Sequence, residues 1–505
     1  SFDVRSPDDL VVPGQVVEVV AQLWNGGART LTRPEPALDV PDGWEVRVSS
    51  VAGLGPDGTV PPGGLATWRY DVTLPDDADL SRLYYLRQPR QGAMYSWPDE
   101  PALWGLPRDP GDVSGTVVFG IAGQGIEESE PERLTAAAEW RYVGVDPARG
   151  EFVRPVLVVP AVSVEVSPSG VTWPQSKVGA QTISVRVRAE SEGGSSGRIT
   201  VSAPEGWSVT PASQPFALDA AGAERSMAFE VEPRSGLRAG RQVFDVVATT
   251  DEGRTYSEGY ALVDYDHIER TALFSPAEAS VVVVPVAVPE DLRVGYVMGS
   301  GDDGPEAIRQ MGVEVEILDE AQVRAADFDR FGTIVLGVRA DETRADLQAA
   351  SAELPDCARA GGTGVVQYNR GPLGRLAPYE MTVGRGSPRV ADETAAVTIL
   401  DPSAPLFTSP NRISAADFDG WVQERGLYFA SEWDDAYHTV IELNDRGEPP
   451  HRGALLVAPV GEGVFVYSAL SFFRQWAEQV PGAYRLFANL ISLDAGAWSA
   501  YVEGR

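Results

Sequence analysis

Short runs of alternating hydrophobic and polar residues fill the first 290 positions, and Gly, Pro, Asp and Asn turns separate them. The run "ISVRVRA" (Ile183–Ala189) is strict, with Ile, Val, Val and Ala on one face and Ser and two Arg on the other. "VVEVVAQLW" (Val16–Trp24) and "TWRYDVTL" (Thr67–Leu74) are similar. Hydrophobic residues at every second position, with the other face exposed to solvent, are typical of strands in an antiparallel β-sandwich.

An internal repeat divides this β-rich part into two units. "VPDGWEVRVSS" (Val40–Ser50) matches "APEGWSVTPAS" (Ala203–Ser213), each with Pro, an acid, Gly and Trp before the next strand. The Gly permits the turn, and the Trp is expected to plug the end of a sandwich core. We therefore predict one sandwich at 1–160, a second at 161–275, and a linker or edge strand at 276–290.

The first unit carries an insertion, Leu83–Asp112, that the second unit lacks. It is rich in aromatic and Arg residues, and rings flanked by Arg and carboxylates suit sugar faces and hydroxyls. The alternative is that the insertion packs on a neighbouring domain. The candidate carbohydrate-binding residues are Tyr84, Tyr85, Arg90, Tyr95, Trp97 and Trp104.

From Asp291 the pattern changes to strands that alternate with helices. This alternation predicts an α/β domain with a parallel, doubly wound sheet at 291–493, followed by a tail at 494–505. A long excursion at 370–450 interrupts the sheet. The predicted elements are strands at 292–298, 313–318, 333–338, 363–368 and 463–470, and helices at 305–311, 341–360 and 482–493.

"GSGDDG" fits the G-x-G-x-x-G pattern of a dinucleotide loop through Gly299, Gly301 and Gly304. Asp302 and Asp303 would face a pyrophosphate with like charge, and both suit the start of the next helix as capping residues. We therefore expect a capped turn and no nucleotide.

The turn after the strand at 363–368 stands where many α/β enzymes hold a nucleophile. Its tip is Gln367, Tyr368, Asn369 and Arg370, none of which attacks a carbonyl efficiently. We expect a degenerate pocket here, formed with Asp302 and Asp303. Arg370, Arg385, Arg425 and Arg474 would give it a basic lining, unless these arginines pair with the abundant carboxylates.

The net charge of −32 argues against binding to nucleic acid or anionic lipid. No apolar stretch is long enough to span a membrane. The single cysteine, Cys357, excludes an internal disulfide and is expected to be buried in the helix at 341–360. The three histidines are scattered, so we expect no histidine-based zinc site.

Two C-terminal motifs carry a resemblance to a known family. They are "PLFTSPNRISAADFDGWVQERGLYF" (Pro405–Phe429) and "ALSFFRQWAEQVPGAYRLFANLIS" (Ala469–Ser492). The chain resembles the C-terminal part of long bacterial PIG-L (LmbE-like) deacetylase-family proteins. That resemblance implies β-sandwich modules and a class I glutamine-amidotransferase-like domain. The family's zinc-dependent N-acetyl-sugar deacetylase domain carries an A-H-P-D-D-E motif that is missing here, so no zinc residue is carried over.

These observations predict an accessory, glycan-directed region without a catalytic site or cofactor of its own. Its expected partners are a carbohydrate or cell-surface glycan and the deacetylase domain of the same gene product. We expect an extracytoplasmic location, periplasmic or secreted. The alternatives are an enzyme with its site in the α/β domain and a structural surface protein with the sandwiches as spacers.

Overall fold

The structure is a computed structural model that describes residues 1–90, 94–122, 133–177, 179–234, 237–326, 328–349 and 358–505. It shows a β-rich chain of several sheets arranged as distinct domains. The expected helical position of Cys357 lies outside the described residues.

The first domain is built on one eight-stranded sheet, and its buried residues form one apolar cluster. The strand order is β4-β7-β8-β1-β3-β6-β5, with β9 beside β8, and β2 and β10 form a separate pair. A parallel contact between β1 and β8 joins the two halves. The strands are β1 (Phe2–Ser6), β2 (Leu10–Val11), β3 (Val16–Trp24), β4 (Leu31–Asp39), β5 (Glu45–Ala52), β6 (Leu65–Thr73), β7 (Ser114–Ile121), β8 (Leu134–Asp146), β9 (Gly150–Pro155) and β10 (Leu157–Val158).

The alternation of hydrophobic and polar residues in β3 and β6 determines which face of this sheet is buried. Alternate residues of both strands are buried, and the residues between them face solvent or are partly covered. This buried set includes Trp68 and Tyr70, and it forms one apolar cluster with Trp140 of β8. A register slip by one residue would expose this whole set, so the pattern fixes the pairing.

The second domain is a sandwich of two sheets. One has the order β11-β13-β17-β15, and the other β12-β22-β18-β14-β16 with β19 beside β18. Trp173 and Phe244 are fully buried between them. The strands are β11 (Val162–Ser167), β12 (Gly170–Pro174), β13 (Gln181–Ala189), β14 (Ser195–Ser202), β15 (Trp207–Thr210), β16 (Ser213–Leu218), β17 (Glu224–Pro233), β18 (Gly240–Thr250), β19 (Thr255–Tyr256), β20 (Glu258–Val263), β21 (Thr271–Pro276) and β22 (Glu278–Val284).

The segment 276–290, which was predicted as a linker or edge strand, contains an interior strand in the structure. Its strand β22 lies inside the six-stranded sheet, parallel to β12 and antiparallel to β18. Six of its seven residues are buried, because both faces of the strand are covered. The second sandwich therefore extends to Val284, beyond the expected boundary at 275. The hairpin β20–β21 forms its own small sheet.

The third domain has a seven-stranded sheet in the order β24-β23-β25-β26-β33-β32-β30. The first five of these strands run parallel. The last two are antiparallel to their neighbours. The strands are β23 (Arg293–Val297), β24 (Glu314–Ile317), β25 (Thr333–Leu336), β26 (Thr363–Gln367), β27 (Met381–Thr382), β28 (Val397–Ile399), β29 (Glu432–Trp433), β30 (His438–Thr439), β31 (Ile441–Leu443), β32 (Leu455–Val460) and β33 (Gly463–Ser468).

Helices pack against the strands of this sheet. Short 3₁₀ helices lie at Tyr84–Leu86 in the first domain, and at Gly374–Leu376 and Ala415–Phe418 in the third. The α-helices are α1 (Gly304–Gln310), α2 (Glu320–Arg324), α3 (Ala340–Thr343), α4 (Ala345–Ala349), α5 (Pro405–Thr408), α6 (Phe472–Ala477), α7 (Pro481–Ile491) and α8 (Ala495–Glu503).

Two helical expectations need correction. The helix predicted at 341–360 is interrupted at Arg344, which has extended backbone and pairs with the carboxylate of Asp346. The predicted tail at 494–505 contains α8, whose residue Trp498 is fully buried. The C-terminus is thus part of the domain core.

Candidate functional site

A cleft of about 730 Å³ opens where the first domain meets the β20–β21 hairpin. Four chain segments from the first domain and one from the hairpin form its walls. They are 41–44, 75–87, 108–112 and 155–157, together with 270–271. A smaller depression of about 350 Å³ continues from it and shares Arg87 and the 109–112 segment. We call the larger cavity the junction cleft.

The first copy of the repeated turn supplies one wall of the junction cleft. Gly43 and Gly206 have φ angles of +86° and +89°, which favour glycine. In each copy the N–H of the following Trp donates to a Pro carbonyl at 3.2 Å. Trp207 is buried in its sandwich core as predicted, whereas Trp44 is partly buried and lines the cleft.

The side chains of Ser81 and Asp112 meet in the wall of the cleft. The Val158 N–H donates to the Ser81 hydroxyl oxygen at 2.8 Å, and that hydroxyl donates to Asp112 at 2.9 Å. Burial raises the pKa of the Asp112 carboxyl, and the nearby charges of Asp109 and Asp79 raise it further. A carboxylate in this environment is short of positive partners.

The raised pKa predicts how Asp112 affects stability. The folded protein holds this proton more tightly than the unfolded chain, so the stabilisation is full at low pH and is lost as the pH rises through the folded pKa. Asp112→Asn retains an acceptor for Ser81 and should raise the melting temperature at pH 7. The gain should shrink as the pH falls toward about 4, the ordinary pKa of aspartate. A melting temperature lowered at pH 7 would contradict this.

Ion pairs hold the hairpin against the first domain and so fix the cleft walls. Asp9 contacts the guanidinium groups of both Arg154 and Arg270. Glu269 similarly contacts Arg108 and Arg141, the latter at 2.7 Å. These contacts join residues more than a hundred positions apart in the chain, so the cleft depends on the packing of two separate parts.

The predicted aromatic residues form one continuous cluster beside the cleft. The ring of Tyr84 meets Tyr85 and Trp97 edge to face, at 5.1 and 5.6 Å. Tyr95 extends the cluster from Tyr85, and Trp104 extends it from Trp97. Tyr84 itself is buried, and its hydroxyl donates to the Leu106 carbonyl, so it serves packing.

The outer rings of this cluster face solvent. Trp97 and Trp104 are 51% and 50% exposed, and Tyr95 is 44% exposed. The Trp104 indole N–H donates to the Pro98 carbonyl at 2.9 Å, which fixes its ring. Arg90 lies 5.9 Å from the Tyr95 ring centre. We call Tyr95, Trp97 and Trp104 the aromatic patch.

The structure brings the two segments of the predicted degenerate pocket together. The Gln367 amide donates to the Tyr296 hydroxyl at 2.8 Å, and that hydroxyl donates to Asp302 at 2.6 Å. Gln367 and Asn369 are buried, and Tyr368 packs against Tyr428 and Phe473. These polar side chains therefore lie within the fold, and the pocket itself stays a prediction.

Asp302 organises the loop that precedes α1. Its carboxylate accepts the N–H groups of Gly304 and Val338 at 2.9 and 3.0 Å. A side chain at Gly299 would place its Cβ 2.0 Å from the Val338 carbonyl, so the backbone needs glycine there. The chain's own carboxylate thus takes hydrogen bonds that a bound anion would need. Asp303 was expected to cap α1, but its side chain makes no capping hydrogen bond.

The four arginines expected to line that pocket are placed differently. Arg370 pairs with Glu342 at 2.9 Å, and Arg474 pairs with Glu424 at 2.7 Å. Arg425 is buried and donates to the carbonyls of Ala395 and Phe418, and its burial lowers its pKa. Arg385 is exposed. Arg370 and Arg474 therefore pair with carboxylates, which was the alternative to a basic pocket lining.

Sequence reasoning missed several residues of the junction cleft. Trp44, Asp77, Asp79 and Arg270 line it, and only the acidic run "PDDAD" after β6 hinted at a polar surface. Among the described residues, no His, Cys and carboxylate side chains cluster in a metal-binding arrangement. No helix in the described ranges is long and apolar enough to cross a membrane.

Comparison with known proteins finds a family match in the first domain. Residues 11–87 match the NPCBM-associated, NEW3 domain of alpha-galactosidase. The chain is similar to that domain over this range. The matched range contains the repeated turn at Trp44 and the 75–87 wall of the junction cleft. The match is confined to this part of the first domain.

No curated protein matches the chain in sequence. Among solved structures, the BspA C-terminal domain of the Streptococcus agalactiae AgI/II polypeptide is 9% identical, with a TM-score of 0.20. The match covers 51% of this chain and 97% of that one. The exo-beta-1,4-mannosidase Op5Man5 from Opitutaceae bacterium strain TAV5 is 14% identical, with coverages of 41% and 36% and a TM-score of 0.25. TM-scores this low identify neither fold nor function.

Proposed function

We propose that this chain is a carbohydrate-binding accessory region whose glycan site is the junction cleft and the adjoining aromatic patch. The observation that carries the proposal is the cleft itself. Its volume lies in the ordinary range for small-ligand pockets, about 300–1,000 Å³, and an indole ring and several polar side chains line it. Its walls at 41–44 and 75–87 belong to the range similar to a glycosidase-associated domain.

The chemistry of the site suits sugars. Exposed indole rings stack on the C–H faces of pyranose rings, and carboxylates and guanidinium groups hydrogen-bond to hydroxyls. Arg87 lines the cleft and comes directly after the 3₁₀ helix that carries Tyr84. One oligosaccharide is thus expected to contact both the aromatic patch and the cleft.

We also propose a larger assembly, on the basis of the resemblance to PIG-L deacetylase-family proteins. In it, the chain positions glycan for a PIG-L-like deacetylase domain of the same gene product, in an extracytoplasmic setting. The third domain acts there as an amidotransferase-like scaffold without its own catalytic site. Support for the scaffold role comes from Gln367 and Asn369, which are buried at the carboxyl end of β26.

The aromatic patch is tested by Trp97→Ala and Trp104→Ala. Each change should weaken retention on an immobilised or gel-embedded oligosaccharide by about fivefold to tenfold, because ring stacking contributes about 1 kcal/mol beyond area burial. Affinity electrophoresis against a panel of neutral, amino and acidic polysaccharides measures this. Melting temperature, measured on the same samples, should change little, since both rings are half exposed.

Trp24→Ala is the matched control, because Trp24 is also 50% exposed but lies outside the patch and the cleft. It should leave retention unchanged. The proposal fails if wild-type protein is retained by none of the panel. It also fails if Trp97→Ala and Trp104→Ala lower the melting temperature and leave retention intact.

A further inference from the structure

The charge balance within the junction cleft is the feature that identifies a ligand class. Four arginines line the cleft, and each already contacts a carboxylate. Arg87 contacts Asp109 and Glu100, and Arg108 contacts Glu139 and Glu269. Arg82 contacts Glu258, and Arg270 contacts Asp9. The guanidinium groups are therefore committed to holding the walls together.

Asp109 pairs with Arg87, but the other carboxylates of the cleft have no such partner among the described residues. Asp42, Asp77 and Asp79 line it, and among the described residues no cationic side chain pairs with any of them. Within the described ranges, the Ser81 hydroxyl is the one side chain that hydrogen-bonds to Asp112. The uncompensated charge in the cavity is thus negative, within a concave wall that focuses the field.

The other walls of the cleft are apolar and shaped for more than an ion. Trp44, Leu80, Leu83 and Val156 line it together with the acids. A volume of about 730 Å³ exceeds what a bare metal ion with its ligands needs and fits a ring-bearing ligand. The cavity therefore combines a platform for sugar C–H faces with unpaired carboxylates.

We infer that the junction cleft selects glycans that carry free amino groups, such as oligomers of a hexosamine, over neutral or acidic glycans. This inference rests on the proposed glycan binding. An ammonium group gives Asp77 and Asp79 the charge-assisted hydrogen bonds that the fold leaves unmade. A neutral sugar leaves these charges unpaired, and a uronic acid is repelled by them.

Calorimetric titration of the full chain with three short oligosaccharides tests the inference. The probes are tetramers of glucosamine, of N-acetylglucosamine and of galacturonic acid, at about 0.15 M salt, where long-range attraction by the net charge is screened. The glucosamine tetramer should bind at least tenfold more tightly than its acetylated counterpart. The galacturonate tetramer should bind more weakly than both.

The variant Asp77→Asn/Asp79→Asn removes two of the unpaired charges from exposed positions, so the fold should survive. It should reduce the preference for the amine to less than about threefold. Asp57→Asn is the control, because Asp57 is an exposed acid outside the cleft, and it should leave the preference unchanged.

Each outcome bears on one proposal or the other. Equal binding of the glucosamine and N-acetylglucosamine tetramers would overturn the inference and leave glycan binding standing. An unchanged amine preference in the double variant would also overturn it, because the field of the whole protein would then suffice. If calcium chloride alone binds and the double variant abolishes that binding, the cleft is a cation site and the inference is wrong. Binding of no tetramer would count against the proposed function itself.

Discussion

Asp302→Ala is expected to destabilise the third domain by about 3 kcal/mol. The carboxylate accepts hydrogen bonds from the Tyr296 hydroxyl and from the N–H groups of Gly304 and Val338. Removing it leaves donors in a buried region without an acceptor, and each such group costs about 1–3 kcal/mol. Tyr296 is fully buried and has Gln367 as its other partner, so the loss should also disturb the end of β26.

Asp303→Ala provides the matched control for this experiment. Asp303 is the neighbouring carboxylate, but its side chain makes no capping hydrogen bond to α1. Its replacement should cost no more than about 1 kcal/mol, the range for a charge near a helix terminus. Urea unfolding, followed by hydrogen exchange in peptides from β23 and β25, separates the third domain from the other two. Equal destabilisation by both variants would contradict the role assigned to Asp302.

The sequence predicted a capped turn for the glycine-rich loop, and it did not identify the residue that organises this loop. Both acids were expected to cap the helix, because both precede it in the chain. Only the folded arrangement shows that Asp302 also accepts a hydrogen bond from the Val338 N–H, in the loop after β25. A hydrogen bond between two loops that are 36 positions apart in the chain leaves no local signal in the sequence.

The position of β13 in a sandwich was easy to predict, and that of β22 was not. Hydrophobic and polar residues alternate strictly in β13, because one face of the strand packs in the sandwich core and the other faces solvent. β22 ends in four consecutive Val residues, 281–284, and all four are buried. It pairs with β12 on one edge and with β18 on the other. Such a run is compatible with a linker, a membrane-proximal segment or an interior strand until its neighbours are known.

The junction cleft was beyond sequence reasoning for a related reason. Its walls come from segments as distant as Trp44, Asp112 and Arg270. Ion pairs across the domain boundary hold these walls together, such as those of Asp9 with Arg270 and of Glu269 with Arg141. The aromatic patch, in contrast, comes from one short insertion, so its residues were visible together in the chain.

The C-terminal helix was missed because its pattern is weak. In α8 only Ala495 and Trp498 are buried, and small or polar residues surround them. A single large side chain gives no helical period, although it fixes the helix to the sheet. Asp494 begins the helix by accepting the Ala497 N–H at 2.6 Å, and its place before a short Ala- and Gly-rich stretch reads as a loop.

Trp498→Ala should therefore cost about 3–5 kcal/mol of stability in the third domain, the range for truncating a buried aromatic residue. The indole is fully buried and meets the ring of His438 on β30 at 6.0 Å and that of Tyr501 at 5.3 Å. Its loss opens a cavity at the antiparallel edge of the sheet, where β30 is a strand of only two residues. Urea unfolding monitored by hydrogen exchange in β32 and β33 gives the change in free energy.

Ser499→Ala is the control, because Ser499 is the next residue of the same helix and is only partly buried. It should change stability by less than about 0.5 kcal/mol, as for most substitutions away from a core contact. Trp498 also contacts the ring of Tyr501 at a tilt, and the Tyr501 hydroxyl donates to Asp401 at 2.8 Å. Trp498→Ala should thus raise exchange near Asp401 as well as in the strands. If the variant unfolds like the wild type, with exchange unchanged at both places, the C-terminal segment is a tail in solution, as its sequence suggested.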